Sequence, residues 1–222
     1  MGWKVFAVFA TEEPGYFGTR PQHDAERADD IRDRLGLSGY ERVGESDFET
    51  AMYPRAGALF IGAFPEGVIV CDAKLPSYFF DDGARRRING ASLRFQNFKA
   101  NLLGLYPEGQ VLSVVLHSVV NLWGYSLHEG GRHLRSAAGA SDDGLFTNIG
   151  SPLPEEARVL GLCPIDEVDA EGYGEELTFD VSARLFGKRI DEFDGLGLQL
   201  SKYRKRNRVS SFFKGLLSAA RG

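Results

Sequence analysis

The sequence predicts an α+β domain with a mostly antiparallel central sheet and helices packed on it. Three observations carry this. Short apolar runs rich in β-branched and aromatic residues recur along the chain, at 3–10, 57–72, 110–120 and 122–149. Several are joined by hairpin-type turns, at Pro65-Glu66-Gly67, Gly130-Gly131 and GASDDG. Stretches with helical periodicity interrupt them irregularly, without the regular strand–helix alternation of a parallel sheet. The composition is ordinary globular, with 222 residues, 43% hydrophobic and 26% charged, which excludes disorder and a disulfide-dense scaffold. No internal repeat or linker divides the chain, so residues 1–201 are expected to form one domain and 202–222 a basic amphipathic tail.

Taken in order, WKVFAVFA (3–10) reads as a buried strand, and Pro14, Gly15, Gly18 and Pro21 mark a long loop after it. A helix is expected from Asp24, which can cap it; Ala28, Ile31 and Leu35 share one face and Gly36 ends it. A short strand follows near Tyr40–Gly44. GALFIGAF and GVIVCD are two strands with a tight connection between them. LPSYFFDDGARRRINGA reads as an exposed excursion. A helix is expected over about 92–104, with Ser92 as cap and Phe95, Phe98 and Leu102 as its stripe.

QVLSVVLHSVV fits a strand buried on both faces. Counting outward from a Gly130-Gly131 turn places Glu129 opposite Arg132, His128 opposite His133 and Leu127 opposite Leu134. LFTNIG is a further strand. Residues 164–176 read as a solvated acidic loop, and 178–186 as a helix capped by Thr178 and stopped by Gly187. Leu196–Tyr203 is the last strand, and VSSFFKGLLSAARG an amphipathic helix.

All 31 acidic residues lie in 1–201, whereas seven of the 26 basic ones lie in 202–222. The body therefore carries a net charge of −12, which repels nucleic-acid phosphates. No apolar run is long enough to span a membrane, and the six-residue N-terminal run is too short for a signal peptide. Membrane contact is expected only through 202–222, if anywhere. Cys71 and Cys163 sit in apolar company and read as buried thiols of a cytoplasmic protein. His23, His117, His128 and His133 have no metal-ligand spacing, and there is no phosphate-binding glycine motif, so neither metal nor cofactor is expected.

Four segments, MYPRAGALFIGAFPEGVIVCD, HSVVNLWGYSLHEGGRHLRS, DDGLFTNIGSPLPEE and FDVSARLFG, resemble, in order and spacing, an uncharacterised bacterial family, best represented in actinobacteria and known as a domain of unknown function. The resemblance covers most of 1–190 and implies a compact α/β fold and a cytosolic bacterial protein, with no established activity. Two departures stand out: Asn121 follows HSVV where the family pattern has an acid, and the basic tail is an addition.

His117-Ser118 invites a nucleophile reading, but adjacent strand residues point to opposite faces. His128 and His133 read as a surface cross-strand pair. Asp142 and Asp143, like the other acidic pairs, read first as a turn and second as acid–base groups. Tyr78, Phe79 and Phe80 cannot all be buried on a strand or a regular helix, so at least one ring is expected at an edge or partner surface. Arg135 stands with them as a binding residue. The leading expectation is a non-enzymatic protein-binding module, immunity- or antitoxin-like. Against it stand a hydrolase using His117, Asp142 or Asp143 in a cleft, and a peripheral binder of anionic membranes acting through the tail.

Overall fold

The computed structural model describes residues 2–90, 95–195 and 197–206. Its framework is one nine-stranded sheet: β1 (Lys4–Thr11), β2 (Tyr40–Asp47), β3 (Ala58–Phe64), β4 (Gly67–Cys71), β5 (Gln110–His117), β6 (Leu122–Glu129), β7 (Arg132–Ala140), β8 (Gly144–Ile149) and β9 (Gln199–Lys205). The spatial order is β2-β9-β3-β4-β1-β5-β6-β7-β8, and every neighbouring pair is antiparallel. The expected α+β class with a central antiparallel sheet holds.

β1 and β5 are continuous apolar runs because both faces of the sheet are covered. Val5, Ala7 and Phe9 of β1, with Leu112, Val114 and Leu116 of β5, face one core. That core also contains Phe17, α2 (Phe48–Met52), α5 (Ala157–Leu160) and α6 (Gly174–Phe186). Val8, Ala10 and Val111 face the other, under α1 (Ala25–Arg34) and α4 (Phe98–Leu105). A smaller cluster of Phe6, Phe80, Val115 and Ala138 lies beneath α3 (Asp82–Asn89).

α1 forms as expected. The Asp24 carboxylate accepts from the backbone N–H of Glu26 and Arg27, Ala28, Ile31 and Leu35 are buried, and Gly36 turns left-handed after the helix. The Gly130-Gly131 tip has positive φ at both residues, and Glu129 and His128 face Arg132 and His133. The register then departs from expectation. A bulge places Leu127 opposite Arg135 instead of Leu134. The extra residue rotates the Arg135 side chain onto the Leu127 face, where Glu156 meets it.

Other expectations are corrected. Residues 75–79 form a buried 3-10 turn, not an exposed excursion. Its threefold period sends successive side chains in different directions, so Tyr78, Phe79 and Phe80 are all buried. α4 begins at Phe98, and Ser92 lies outside the described residues. α6 begins at Gly174, so Thr178 is internal and donates to the Gly174 carbonyl at 2.9 Å. β9 runs to Lys205, so Lys202, Arg204 and Lys205 belong to the sheet, between β2 and β3, and not to a separate tail. The expected amphipathic helix over 209–222 lies outside the described residues. No helix among the described residues is long and apolar enough to cross a membrane.

Candidate functional site

β5 finishes at one end of the sheet, where the chain turns through the 3-10 turn Ser118–Val120 into β6. Asn121 closes the turn with φ 45°. Asn and Asp are the non-glycine residues that best tolerate this left-handed geometry, which accounts for an amide or an acid at this position. The turn is anchored from below: the Ser118 hydroxyl lies 2.9 Å from the Trp3 carbonyl, and the Ser118 backbone N–H donates to the same carbonyl. The two valines that follow point outward, Val119 at 80% exposure and Val120 at 57%.

Beside the turn lies an open cavity of about 280 Å³. Leu116, Leu122 and Trp123 form its apolar wall, and Ser118, Asn121, Asp169, Glu175 and Glu176 supply its polar groups. The Trp123 indole N–H donates to Asp169 Oδ1 at 2.6 Å. Gly139 and Gly174 make this packing possible, since a Cβ at either would collide with Asp169 or with the Trp123 ring. Burial raises the Asp169 carboxyl above its usual range, against the Trp123 hydrogen bond. Asp169 Oδ2 is shielded and has no hydrogen-bond partner among the described residues. Glu175 reaches the Ser118 hydroxyl, so that hydroxyl has two acceptors, Glu175 and Trp3, for its one proton. Glu176 is different. Arg158 at 2.7 Å and Arg189 at 2.8 Å both hold it, and the Arg189 hydrogen bond is the larger cause of its lowered pKa.

The residues singled out from sequence are scattered. His117 ends β5 on the face opposite Leu116, with its Nδ1 buried and unpartnered among the described residues. Asp143 pairs with Arg87 at 2.9 Å in the β7–β8 turn, where Asp142 also lies. Neither aspartate lines the cavity. Tyr78, Phe79 and Phe80 are core residues. Arg135 is 1% exposed, and its guanidinium is spent internally on Glu156, Asn148 and the Gly150 carbonyl. The His128–His133 pair forms, with ring centroids 4.9 Å apart, but His128 is buried and only His133 is exposed. Burial first, then Lys99 and His133, pushes His128 down to about 3. No group of three or more metal-ligating side chains occurs among the described residues.

Trp123, Asp169 and Glu175 were not singled out as a site by sequence reasoning. The available signal was Val168 inside the acidic run DEVDAEGYG, an apolar residue that a freely solvated loop would not need. It is fully buried and pins Asp169 against β6 and β7.

A family model described as a family of unknown function (DUF6928) matches residues 4–182. No curated protein matches the chain, and no solved structure does.

Proposed function

We propose that this chain, which belongs to the DUF6928 family of unknown function, is a non-enzymatic binding protein that engages another protein at the end of the sheet carrying Val119, Val120 and the cavity. The observation that carries the reading is the valine tip. A monomer gains nothing by holding two adjacent apolar side chains in water on an anchored turn. Tyr53, 40% exposed, donates to the Gly2 carbonyl, and Gly2 lies beside this turn, since a Cβ there would meet Ser118 and Val119. A contiguous apolar patch rimmed by polar groups is the mark of an interaction site. The acidic body favours a basic partner through complementary charge. Cys71 and Cys163, both buried and unbridged, support a cytoplasmic setting.

A photo-crosslinking amino acid at position 119, compared with one at Val43 on the exposed β2 edge, tests the reading in the native cells. A discrete adduct is expected at 119, absent at 43 and lost on adding Val120→Asp. That substitution should leave stability within ~0.5 kcal/mol, as is usual for exposed positions. No adduct at 119, or the same adducts at both positions, refutes the reading.

One observation favours the hydrolase reading: Asp169 with a raised pKa stands in the same cavity as a serine hydrogen-bonded to Glu175. Among the described residues no histidine lines this cavity. Turnover of chromogenic ester or phosphoester substrates that disappears in Glu175→Gln would favour the enzyme. The membrane reading rests on residues 207–222, since Lys202, Arg204 and Lys205 are strand residues.

A further inference from the structure

At the opposite end of β6 from the valine tip, we infer that His128, roofed by His133 of β7 and Lys99 of α4, forms an acid-sensitive latch, which holds α4 on the β6–β7 hairpin at neutral pH and releases it when His128 takes up a proton. The first ground is how His128 is buried. It is 2% exposed, and both its ring nitrogens are shielded and without a hydrogen-bond partner among the described residues. An imidazole so placed packs well when neutral, but nothing touches it that would stabilise a charge.

The second ground is what faces it. From β7 comes the His133 ring, 4.9 Å away between centroids, and from the 75–79 turn the Phe79 ring, edge-on at 5.5 Å. From α4 comes Lys99, whose ammonium sits 5.8 Å from the centre of the same Phe79 ring. β5 offers only Val111, opposite His128 in the register. Among the described residues no carboxylate pairs with Lys99, His128 or His133. Glu129, next along β6, is held by Gln110 and faces Arg132. Asp81 and Arg135 are felt by His133, but Asp81 is committed to Thr147 and the cap of α3, and Arg135 to Glu156. On a body with surplus acid, three basic groups thus meet with no counter-charge among them.

The third ground is the direction of the protons. Ser126 donates to the Phe79 carbonyl at 2.7 Å and Ser136 to Ser126 at 2.8 Å. Ser136 has then spent its one proton and accepts from His133 Nε2 at 2.6 Å. Neutral His133 therefore carries its proton on Nε2, and acid adds the second at Nδ1. His133 is exposed and charges before His128, so the buried ring comes to lie between two cations. Lifting the roof lets water reach His128 and uncovers Phe79, Phe98, Leu102 and Val111, the apolar core beneath α4.

The size of the effect follows from linkage. In the open form His128 titrates near ~6.5; in the closed form burial first, then Lys99 and His133, holds it down to about 3. Going from pH 7.5 to pH 5.0 therefore favours opening by about 30-fold.

Hydrogen–deuterium exchange of the full chain between pH 7.5 and pH 4.5, corrected for the intrinsic pH dependence of amide exchange, reads such local opening. Peptides covering 98–105 and 127–134 should lose protection by at least about tenfold at pH 5.0, while those of β1, β3 and β4 keep theirs. Below pH ~6.5 the loss should steepen toward tenfold per pH unit, the slope of one proton; this is read on the wild type and needs no variant. In His128→Phe the loss at pH 5.0 should fall below about threefold. A flat profile down to pH 5.0, an equal loss of protection in every strand, or a loss undiminished in His128→Phe overturns the latch.

Discussion

Removing one member of the Arg135–Glu156 pair should destabilise the protein far more than an average substitution. Arg135 Nε and Nη2 lie 2.9 and 3.0 Å from the two Glu156 oxygens, and both side chains are sealed, at 1% and 0% exposure. Glu156 Oε1 also accepts from the Leu153 N–H, and Arg135 Nη1 reaches the Gly150 carbonyl at 3.0 Å. The pair thus pins the bulged strand β7 to the chain that leaves β8. In Arg135→Met, Glu156 stays buried as a carboxylate without its cation, and the acceptors on Asn148 and Gly150 lose their donor. Breaking one side of a buried pair costs ~3–5 kcal/mol, a large share of the ~5–15 kcal/mol by which domains are stable. For a chain of this size that lowers the melting temperature by roughly 6–20 °C. Arg135→Met with Glu156→Leu should recover most of the loss, because the double variant removes the uncompensated charge along with its partner. Urea unfolding of the wild type, both single variants and the double gives the coupling energy directly. A single-variant cost below ~1 kcal/mol, or a double variant as unstable as the sum of its singles, would refute this account of the bulge.

Acid should weaken the fold through His128. Its folded-state pKa of about 3 lies below the ~6.5 of an unfolded histidine, so the unfolded chain takes up a proton that the folded one refuses. Stability from this residue is full above pH ~6.5 and falls by ~1.4 kcal/mol per unit below it, to a loss of about 2 kcal/mol at pH 5. His23 and His133, also lowered by burial, add in the same direction. Urea midpoints at pH 7 and pH 5 should differ less in His128→Phe; an unchanged difference counts against the assignment. Gly139→Ala would put a Cβ 2.3 Å from an Asp169 oxygen, with an expected cost of ~1–3 kcal/mol for overpacking and a shifted Trp123 emission as its hydrogen bond is displaced. Wild-type stability and emission in that variant would show that Asp169 is not wedged there. Chelator treatment should leave the melting temperature unchanged, and a drop would mean a structural metal.

Local signals were legible and non-local ones were not. Asp24, the Ala28–Ile31–Leu35 stripe and Gly36 define α1 from within thirteen consecutive residues, because capping and amphipathicity act over one or two turns. The double-glycine tip and its first two cross-strand pairs follow from local backbone geometry in the same way. The bulge at Leu127 does not. It brings Arg135 to a partner, Glu156, that lies 21 residues further along the chain. The order of strands was equally hidden. β9 reads as a strand, yet nothing in QLSKYRK says that it enters between β2 and β3. The basic run at 202–205 reads as a tail because it is charged, whereas alternation along β9 buries Ser201 and Tyr203 and leaves Lys202 and Arg204 outside.

The cavity was the least legible feature, and the reason lies in how it is made. Ser118 and Glu175 are 57 positions apart, and Trp123 and Asp169 are 46 apart. Each alone fits a bland role: a strand-end serine, a core tryptophan, a loop aspartate and an acid at a helix start. Glu175 and Glu176 are adjacent and chemically alike, yet Arg158 and Arg189 neutralise only the second. What separates Asp169 and Glu175 from the other partly buried acids around α6 is the missing cation, and that can be recognised only after every arginine has been placed. Residue types could supply the carboxylates, the apolar wall and the valines. Their grouping around one cavity depends on contacts between residues 46 and 57 positions apart.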